Sequence, residues 1–295
     1  MALTTIILQT LNGLTIAAIY VLLASGLTIV LGLQGIINVA HGFYYMLGAY
    51  LGLTLIGKAG LSFWLSLPLA FIGTFFLGVI LEISGLRPLT RWHRDHSHQV
   101  ILTLGFAIFG TELVKEIWGA VPQMAQMPPS LQGVLVIGAI TYPKYWLFVM
   151  AFSLAIMVGL WVFFTRTGLG ILVRSVTINR EASEALGTNA PLLTTMIFGL
   201  GTGIAGVAGV LAGPILSVDP NMGFELLMIL FVVIILGGLG SLIGTVISGV
   251  IIGIVIAFGT ALFSGMVAKI SVFAVMIAIL ILRPLGVLGR GTAVD

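Results

Sequence analysis

The chain has no cysteine among its 295 residues, so neither disulfides nor thiolate metal sites can form. Charge is almost as scarce. Asp, Glu, Lys and Arg together supply 7% of the residues, against roughly 25% in an average soluble domain, and water therefore cannot be the solvent for most of this surface. No Gly-Lys-Ser/Thr phosphate loop occurs, so any dependence on ATP must come from a separate subunit. The paired acid and base or metal motif of an intramembrane enzyme is also missing. The first apolar run has no basic segment before it and exceeds a signal peptide's core in length, so it reads as a retained span.

What the chain does have is apolar length. Hydrophobic residues make up 59% of it, and the stretches 4–31, 62–81, 146–164 and 194–215 carry no charge. Spanning the hydrocarbon of a bilayer takes about 20 apolar residues of helix. Backbone polar groups in lipid must be satisfied within the segment, and these runs are too long and too unalternating for barrel strands. The expected fold is all-α, a polytopic helical membrane protein. With Gly, Pro and charge as punctuation, spans fall near 5–32, 36–56, 62–86, 99–118, 146–165, 192–217, 225–239, 242–262 and 267–282. The count is eight or nine membrane segments, with broken or re-entrant helices among them. Residues 225–238 would rise only about 21 Å and end in Gly237-Gly238-Leu239-Gly240-Ser241, which reads as a half-helix. Residues 1–295 form a single transmembrane domain with no soluble domain attached.

The formal charge of +3 does not point to nucleic acid. Eight of the twelve basic residues are arginines confined to three polar segments: Arg87, Arg91 and Arg94; Arg166, Arg174 and Arg180; Arg283 and Arg290. The positive-inside rule places these basic loops in the cytoplasm of an inner membrane. The connection 118–144 holds Pro122, Pro128, Pro129 and Pro143 without arginine, as an external loop would, and the turn at Asp219, Pro220 and Asn221 shares that face. Segment 165–190, polar and flanked by spans, is then the largest cytoplasmic structure available to the chain.

Two clusters carry the chemistry. In the first, Gln34, Asn38 and His41 follow i, i+4, i+7 spacing, which on a helix puts them on one face. Such side chains are costly against lipid. They face the bundle interior, either bonding other helices or lining a wet cavity, and with Tyr44 and Tyr45 they are the candidate substrate pathway. Gly35 and Gly42 favour a helix break there, and glycines such as Gly199, Gly203, Gly206 and Gly209 allow close helix packing or mark broken helices beside a path. In the second cluster, Asn179 can cap a short helix over 179–186 and Gly187 can end it. That helix is either a charged element snorkelling at the membrane surface or a docking element. Among the remaining polar residues, Glu82 is placed to pair with Arg87 or a neighbouring helix, and Glu112, Lys115 and Glu116 have ion-pair spacing. Asp219 and Glu225 flank the external turn as caps or as contacts for a partner. The cluster of His93, Asp95, His96 and His98 reads as a solvated inner loop rather than a metal site, because no further ligand spacing supports it.

Glu181-Ala182-Ser183, followed three residues later by Gly187, resembles the EAA loop of ABC importer permeases, with Ile197 at the pattern's isoleucine and Gly199-Leu200 in place of its Leu-Pro. Across nearly its full length the chain is similar to the branched-chain amino acid permease family of the LivH type. The matching stretches are Gly32-Leu33-Gln34-Gly35-Ile36-Ile37-Asn38-Val39-Ala40-His41-Gly42, Arg87-Pro88-Leu89, Thr103-Leu104-Gly105, Arg166-Thr167-Gly168-Leu169-Gly170 with Arg174, Glu181-Ala182 with Ala185-Leu186-Gly187, Ala212-Gly213-Pro214 and Leu236-Gly237-Gly238-Leu239-Gly240-Ser241. The resemblance implies a permease subunit importing branched-chain amino acids or a related small polar solute. It also implies a LivM-type second permease, two cytoplasmic ATPase subunits that hold ATP and Mg, and a periplasmic solute-binding protein. This chain would bind no cofactor itself, and its non-protein partner would be membrane lipid. The segment 166–190 would couple to the ATPases through Arg174, Arg180, Glu181, Glu184 and Gly187. The competing reading is an ion-coupled secondary transporter, which ordinarily needs an ionisable site deep in the bundle; His41 is the clear mid-span candidate.

Overall fold

In the computed structural model, residues 3–92, 96–138 and 140–288 are described, without the side chains of Leu33, Gln34, Arg91, Trp92, His96 and Ile137. Twelve α-helices occur among them: α1 (Leu3–Gln34), α2 (His41–Leu53), α3 (Phe63–Leu81), α4 (Arg87–Trp92), α5 (His96–Trp118), α6 (Lys144–Arg166), α7 (Gly168–Ile178), α8 (Arg180–Ala185), α9 (Ala190–Ala212), α10 (Met222–Gly237), α11 (Leu242–Leu262) and α12 (Gly265–Leu282). Turns of π-helix extend α2 over Thr54–Lys58 and α3 over Glu82–Leu86.

Six stretches are long and apolar enough to cross a membrane: Leu3–Gly32, Phe63–Thr90, Lys144–Arg166, Ala190–Ala212, Leu242–Leu262 and Gly265–Leu282. Helices α2, α5 and α10 occupy the other three stretches read as spans. Helix α10 has 16 residues and rises roughly 24 Å, short of the ~30 Å hydrocarbon core. The connection 118–144 also contains something the spacing of its prolines conceals. Strands β1 (Val134–Ile137) and β2 (Ile140–Pro143) pair antiparallel as a hairpin, Val134 opposite Pro143 and Ile137 opposite Ile140.

The chain divides into two compact units, and the division falls within α1, α6 and α10. The first comprises Met1–Ser25, Met127–Ala155 and Met228–Asp295. Its helices meet at small residues. A side chain at Gly249 would strike Val21, and one at Gly253 would strike the backbone of Gly13. Ser241 caps α11 by accepting from the Gly244 N–H at 3.0 Å, and Ser248 Oγ donates to the Val233 carbonyl at 2.6 Å. On the hairpin, the Tyr142 hydroxyl pairs with Thr15 at 2.9 Å, and burial pushes its pKa up despite that hydrogen bond. In lipid an unpaired hydroxyl is costly, so this pair fixes the hairpin to α1.

The second unit, Gly26–Gln126 with Ile156–Leu227, is built around α9. Nearly every residue from Ile197 to Ala212 is buried, because glycine lets neighbouring backbones come within contact of its axis. A Cβ on Gly48 of α2 would overlap the Gly206 carbonyl, and one on Gly209 would overlap the Tyr45 carbonyl. On the α3 side, Gly199 lies against Phe75, Gly203 against Phe71 and Gly206 against Thr74, while Thr202 Oγ1 donates to the Thr74 carbonyl at 3.1 Å. Without a hydrophobic drive between helices inside lipid, this packing and these hydrogen bonds supply the association energy.

Candidate functional site

The first candidate cluster is not a helical stripe. Helix α1 stops at Gln34, residues 35–38 are not helical, and α2 starts at His41. Gln34, Asn38 and His41 therefore do not share one helix face, because Gly35 takes φ +65° and ends the first helix before Asn38 is reached. Gly42 does not break the helix; it allows α2 to pass the backbone of Gly223. Gln34 is the last residue of α1, and its side chain lies outside those described.

Asn38, His41, Tyr44 and Tyr45 are all buried. Neither amide atom of Asn38 has a hydrogen-bond partner among the described residues, and the same holds for the Tyr44 hydroxyl. His41 opens α2 with its Cε1 3.1 Å from where a Cβ on Gly26 would lie, so it is wedged against α1. The Tyr44 ring packs against Phe43 at 5.7 Å and against Phe106 of α5 at 6.1 Å. Thr103, to which the sequence assigned no role beyond the family resemblance, holds the break to α5. Thr103 Oγ1 accepts from the Val39 N–H at 3.1 Å and donates to the Gln99 carbonyl at 2.8 Å. Replacing Thr103 with Val keeps the shape and strands the half-buried Val39 N–H, at a cost of about 1 kcal/mol. A fall in the detergent melting temperature of Thr103→Val, with Thr103→Ser close to the parent, checks this.

The second cluster is a chain of capped joints. Thr167 accepts from the Gly170 N–H at 3.1 Å and starts α7, an amphipathic helix the sequence reading did not identify. Gly170 seats this helix on the backbone of Phe163 and Phe164. Asn179 Oδ1 accepts from the Ala182 N–H at 2.9 Å and starts α8, at the position its residue type predicts. At the other end, Thr188 N–H donates to the Ser183 carbonyl and Gly187 N–H to the Glu184 carbonyl, both at 3.0 Å. With Gly187 at φ +87°, this is a Schellman stop. Asn189 Oδ1 then accepts from the Leu192 N–H at 3.0 Å and starts α9.

The face of α8 is solvent-exposed and charged. Glu181 and Glu184 point outward and Arg180 pairs with Glu184 at 3.0 Å, while Ser183 is buried with its hydroxyl on the Asn179 carbonyl. Arg174 lies one helix away on α7 and is not joined to α8 by any described contact. Ile178 and Leu186, at 85% and 88% exposure, bracket α8 with apolar side chains that touch little of their own chain. Truncating the cap in Asn179→Ala should cost α8 about 1 kcal/mol. Faster amide exchange confined to residues 180–186, with the exchange of α9 unchanged, is the expected signature.

Of the two partners open to Glu82, Arg87 and a neighbouring helix, it meets both: Arg87 Nη2 lies 3.0 Å from Oε2, and Thr195 of α9 donates to the same oxygen. Lys115 pairs with Glu112 at 2.6 Å. Asp219 Oδ1 accepts from the Asn221 N–H at 2.8 Å within the turn. His93 and Asp95 lie outside the described residues, as does the side chain of His96. Among the described residues no group of three or more His, Asp or Glu could hold a metal ion.

Long apolar helices, closed by small-residue crossings and joined on one side by a capped polar segment, define a multi-pass helical membrane protein. The chain belongs to the family described as branched-chain amino acid transport system / permease component, whose model matches residues 9–281. It is 32% identical over 301 residues to the high-affinity branched-chain amino acid transport system permease protein BraD of Pseudomonas aeruginosa, covering 96% of this chain and 95% of that one. Its identity to LivH of Escherichia coli, a permease protein of the same kind, is 30% over 298 residues, with the same coverage. A shorter likeness, 34% over 128 residues, links it to the permease protein LivM of Salmonella typhimurium, covering 41% of this chain and 28% of that one.

Proposed function

We propose that this chain is one membrane-spanning subunit of an ATP-driven importer for branched-chain amino acids or a related small polar solute. It would work beside a LivM-type second permease, two cytoplasmic ATPase subunits that hold ATP and Mg, and a periplasmic solute-binding protein. On this reading residues 1–295 form one permease domain in the inner membrane with the basic loops in the cytoplasm. Helix α8 is the coupling helix seated on an ATPase.

One observation carries the reading. The six residues Arg180–Ala185, in the stretch that resembles the EAA loop, form a helix capped at both ends and exposed on its charged face. A lever must not waste displacement in its own bending. The cap at Asn179 and the stop at Gly187 remove the fraying that would absorb it. Closure of the ATPases would move α8, and α9 begins three residues after Gly187, so the stroke enters the helix at the centre of its unit. Alternating access then follows from a change in how packed helices sit around the path.

The buried polar groups near the α1–α2 break support a route for a polar solute. Asn38 and Tyr44 keep amide and hydroxyl groups out of water and without partners among the described residues, a penalty of about 1–3 kcal/mol each that a passing ammonium or carboxylate would relieve. We assign Gln34, His41 and Tyr45 to the same proposed path.

The test is reconstitution of the whole complex in proteoliposomes with binding protein and leucine outside and ATP within. Accumulation that follows ATP and survives collapse of the proton and sodium gradients is expected. Accumulation that follows an ion gradient and ignores ATP would replace this reading with secondary transport.

A further inference from the structure

Beyond the coupling helix, the structure holds a buried polar knot at the point where α3 and α9 converge. Glu82 is 3% exposed at its side chain and Arg87 27%. Both Glu82 oxygens are used: Oε1 accepts from Arg87 Nε at 3.3 Å, and Oε2 accepts from Arg87 Nη2 at 3.0 Å and from Thr195 Oγ1 at 2.6 Å. The two N–H groups of Arg87 Nη2 are shared among Glu82 Oε2, the Pro191 carbonyl at 3.1 Å and Thr195 Oγ1, and the Thr195 hydroxyl shares its one proton between Glu82 Oε2 and the Pro191 carbonyl at 2.9 Å. Pro191 lies in the first turn of α9, directly after the Asn189 cap, and Thr195 one turn further on.

The backbone is built for this pair. Residues five apart on an α-helix point about 140° from one another at 3.6 residues per turn, too far around the axis for a two-pronged ion pair. Glu82–Leu86 is instead a π-turn, in which Arg87 N–H bonds the Glu82 carbonyl. The wider turn swings Arg87 back onto the face of Glu82. Such turns are uncommon and collect at functional sites. A buried carboxylate with a half-buried guanidinium in a membrane protein is expensive to keep, and the close packing of α3 on α9 is already made elsewhere, as where Gly78 meets Thr202.

We propose that Glu82, Arg87 and Thr195 are a clamp that makes the end of α3 and the start of α9 one rigid body, so that a stroke delivered through α8 moves both helices together. The inference rests on α8 being the coupling helix. The three are positioning residues: they touch neither solute nor ATP, and they decide how much of the stroke reaches the bundle. Losing the clamp lets α9 tilt alone, so ATP is hydrolysed with little transport.

The measurement is solute accumulated per ATP hydrolysed by the whole complex in proteoliposomes, with binding protein present. Thr195→Val, which loses one hydroxyl and keeps the shape, should leave ATP hydrolysis within about twofold of the parent and lower the ratio about tenfold. Thr195→Ser should restore it. The chain has no cysteine of its own, so the pair Glu82→Cys with Thr195→Cys allows a cleaner test. Reduced, it should be uncoupled; once bridged by a short thiol-reactive linker, it should regain most of the parent ratio, since covalent attachment does the clamp's work without its charges. An unchanged ratio in Thr195→Val, or a bridged pair that stays uncoupled, overturns the clamp. If the unmodified complex shows no ATP-dependent accumulation, the importer reading beneath it fails, and the clamp with it.

Discussion

Gly187→Val is expected to fold, insert and assemble like the parent, yet to lose at least about tenfold in ATP-driven uptake, because about 1–2 kcal/mol of left-handed strain must be relieved by reopening the stop. No atom lies within 4 Å of a Cβ placed on Gly187, so the position has open space around it and the substitution removes no packing. The whole effect comes from φ +87°, which a β-branched residue resists. The turn would open, and the hydrogen bonds from Thr188 to Ser183 and from Gly187 to Glu184 would go with it. Helix α8 would then hang from a hinge instead of a fixed corner, and an ATPase stroke would bend the hinge. Gly187→Asn is the control, since asparagine tolerates the left-handed region. It should retain most of the uptake. Equal loss in both variants, or parent-level uptake in Gly187→Val, would contradict the lever reading.

The second large effect concerns stability. Gly48→Leu, or even Gly48→Ala, places a Cβ into the Gly206 carbonyl at the crossing of α2 and α9. The obstacle is backbone on both sides, so no rotamer change relieves it. Separating two buried helices by the width of a methyl group forfeits the contacts along the whole crossing, and a loss on the order of 4 kcal/mol or more is expected. Little folded protein should be recoverable in detergent. Gly105→Ala is the matching control. No atom lies within 4 Å of its added Cβ, and the better helix propensity of alanine should leave the protein unchanged or more stable by about 1 kcal/mol. Equal melting temperatures for the Gly48 and Gly105 variants would mean that the α2–α9 crossing does not hold the unit together.

These two glycines also show where sequence reasoning succeeds and where it ends. Gly187 was legible because a helix stop is local. A cap residue at Asn179, helix formers between and glycine after them specify α8 within nine residues. The long apolar runs were legible for the same reason, since span length is set by the bilayer and not by neighbours. Gly48 was visible as a small residue but its partner was not, because Gly206 is 158 positions away and nothing in either segment names the other. The break at Gly35 was suspected, yet the spacing of Gln34, Asn38 and His41 also fitted a continuous helix, and periodicity cannot see a helix that stops inside its own pattern. The hairpin at 134–143 was hidden because the prolines and glycines of the connection signal turns without fixing what they join, and its apolar run Val134–Ile137 is too short to tell strand from helix by periodicity. The Glu82–Arg87 pair was anticipated from proximity, but its i,i+5 spacing matches no α-helical pattern, and Thr195 gave no sign of being its third member.

The account stands most directly on where α8 lies. Because the chain contains no cysteine, Glu181→Cys introduces a single reporter on the exposed face of that helix. In intact cells a membrane-impermeant thiol reagent should leave it unmodified, and in inside-out vesicles stripped of ATPase it should react fully. With the ATPase bound, the same cysteine should be protected and should form a short-range cross-link to that subunit. Labelling from outside intact cells, or full reactivity regardless of whether ATPase is present, would contradict the claim that this helix is the cytoplasmic contact through which the motor moves the bundle.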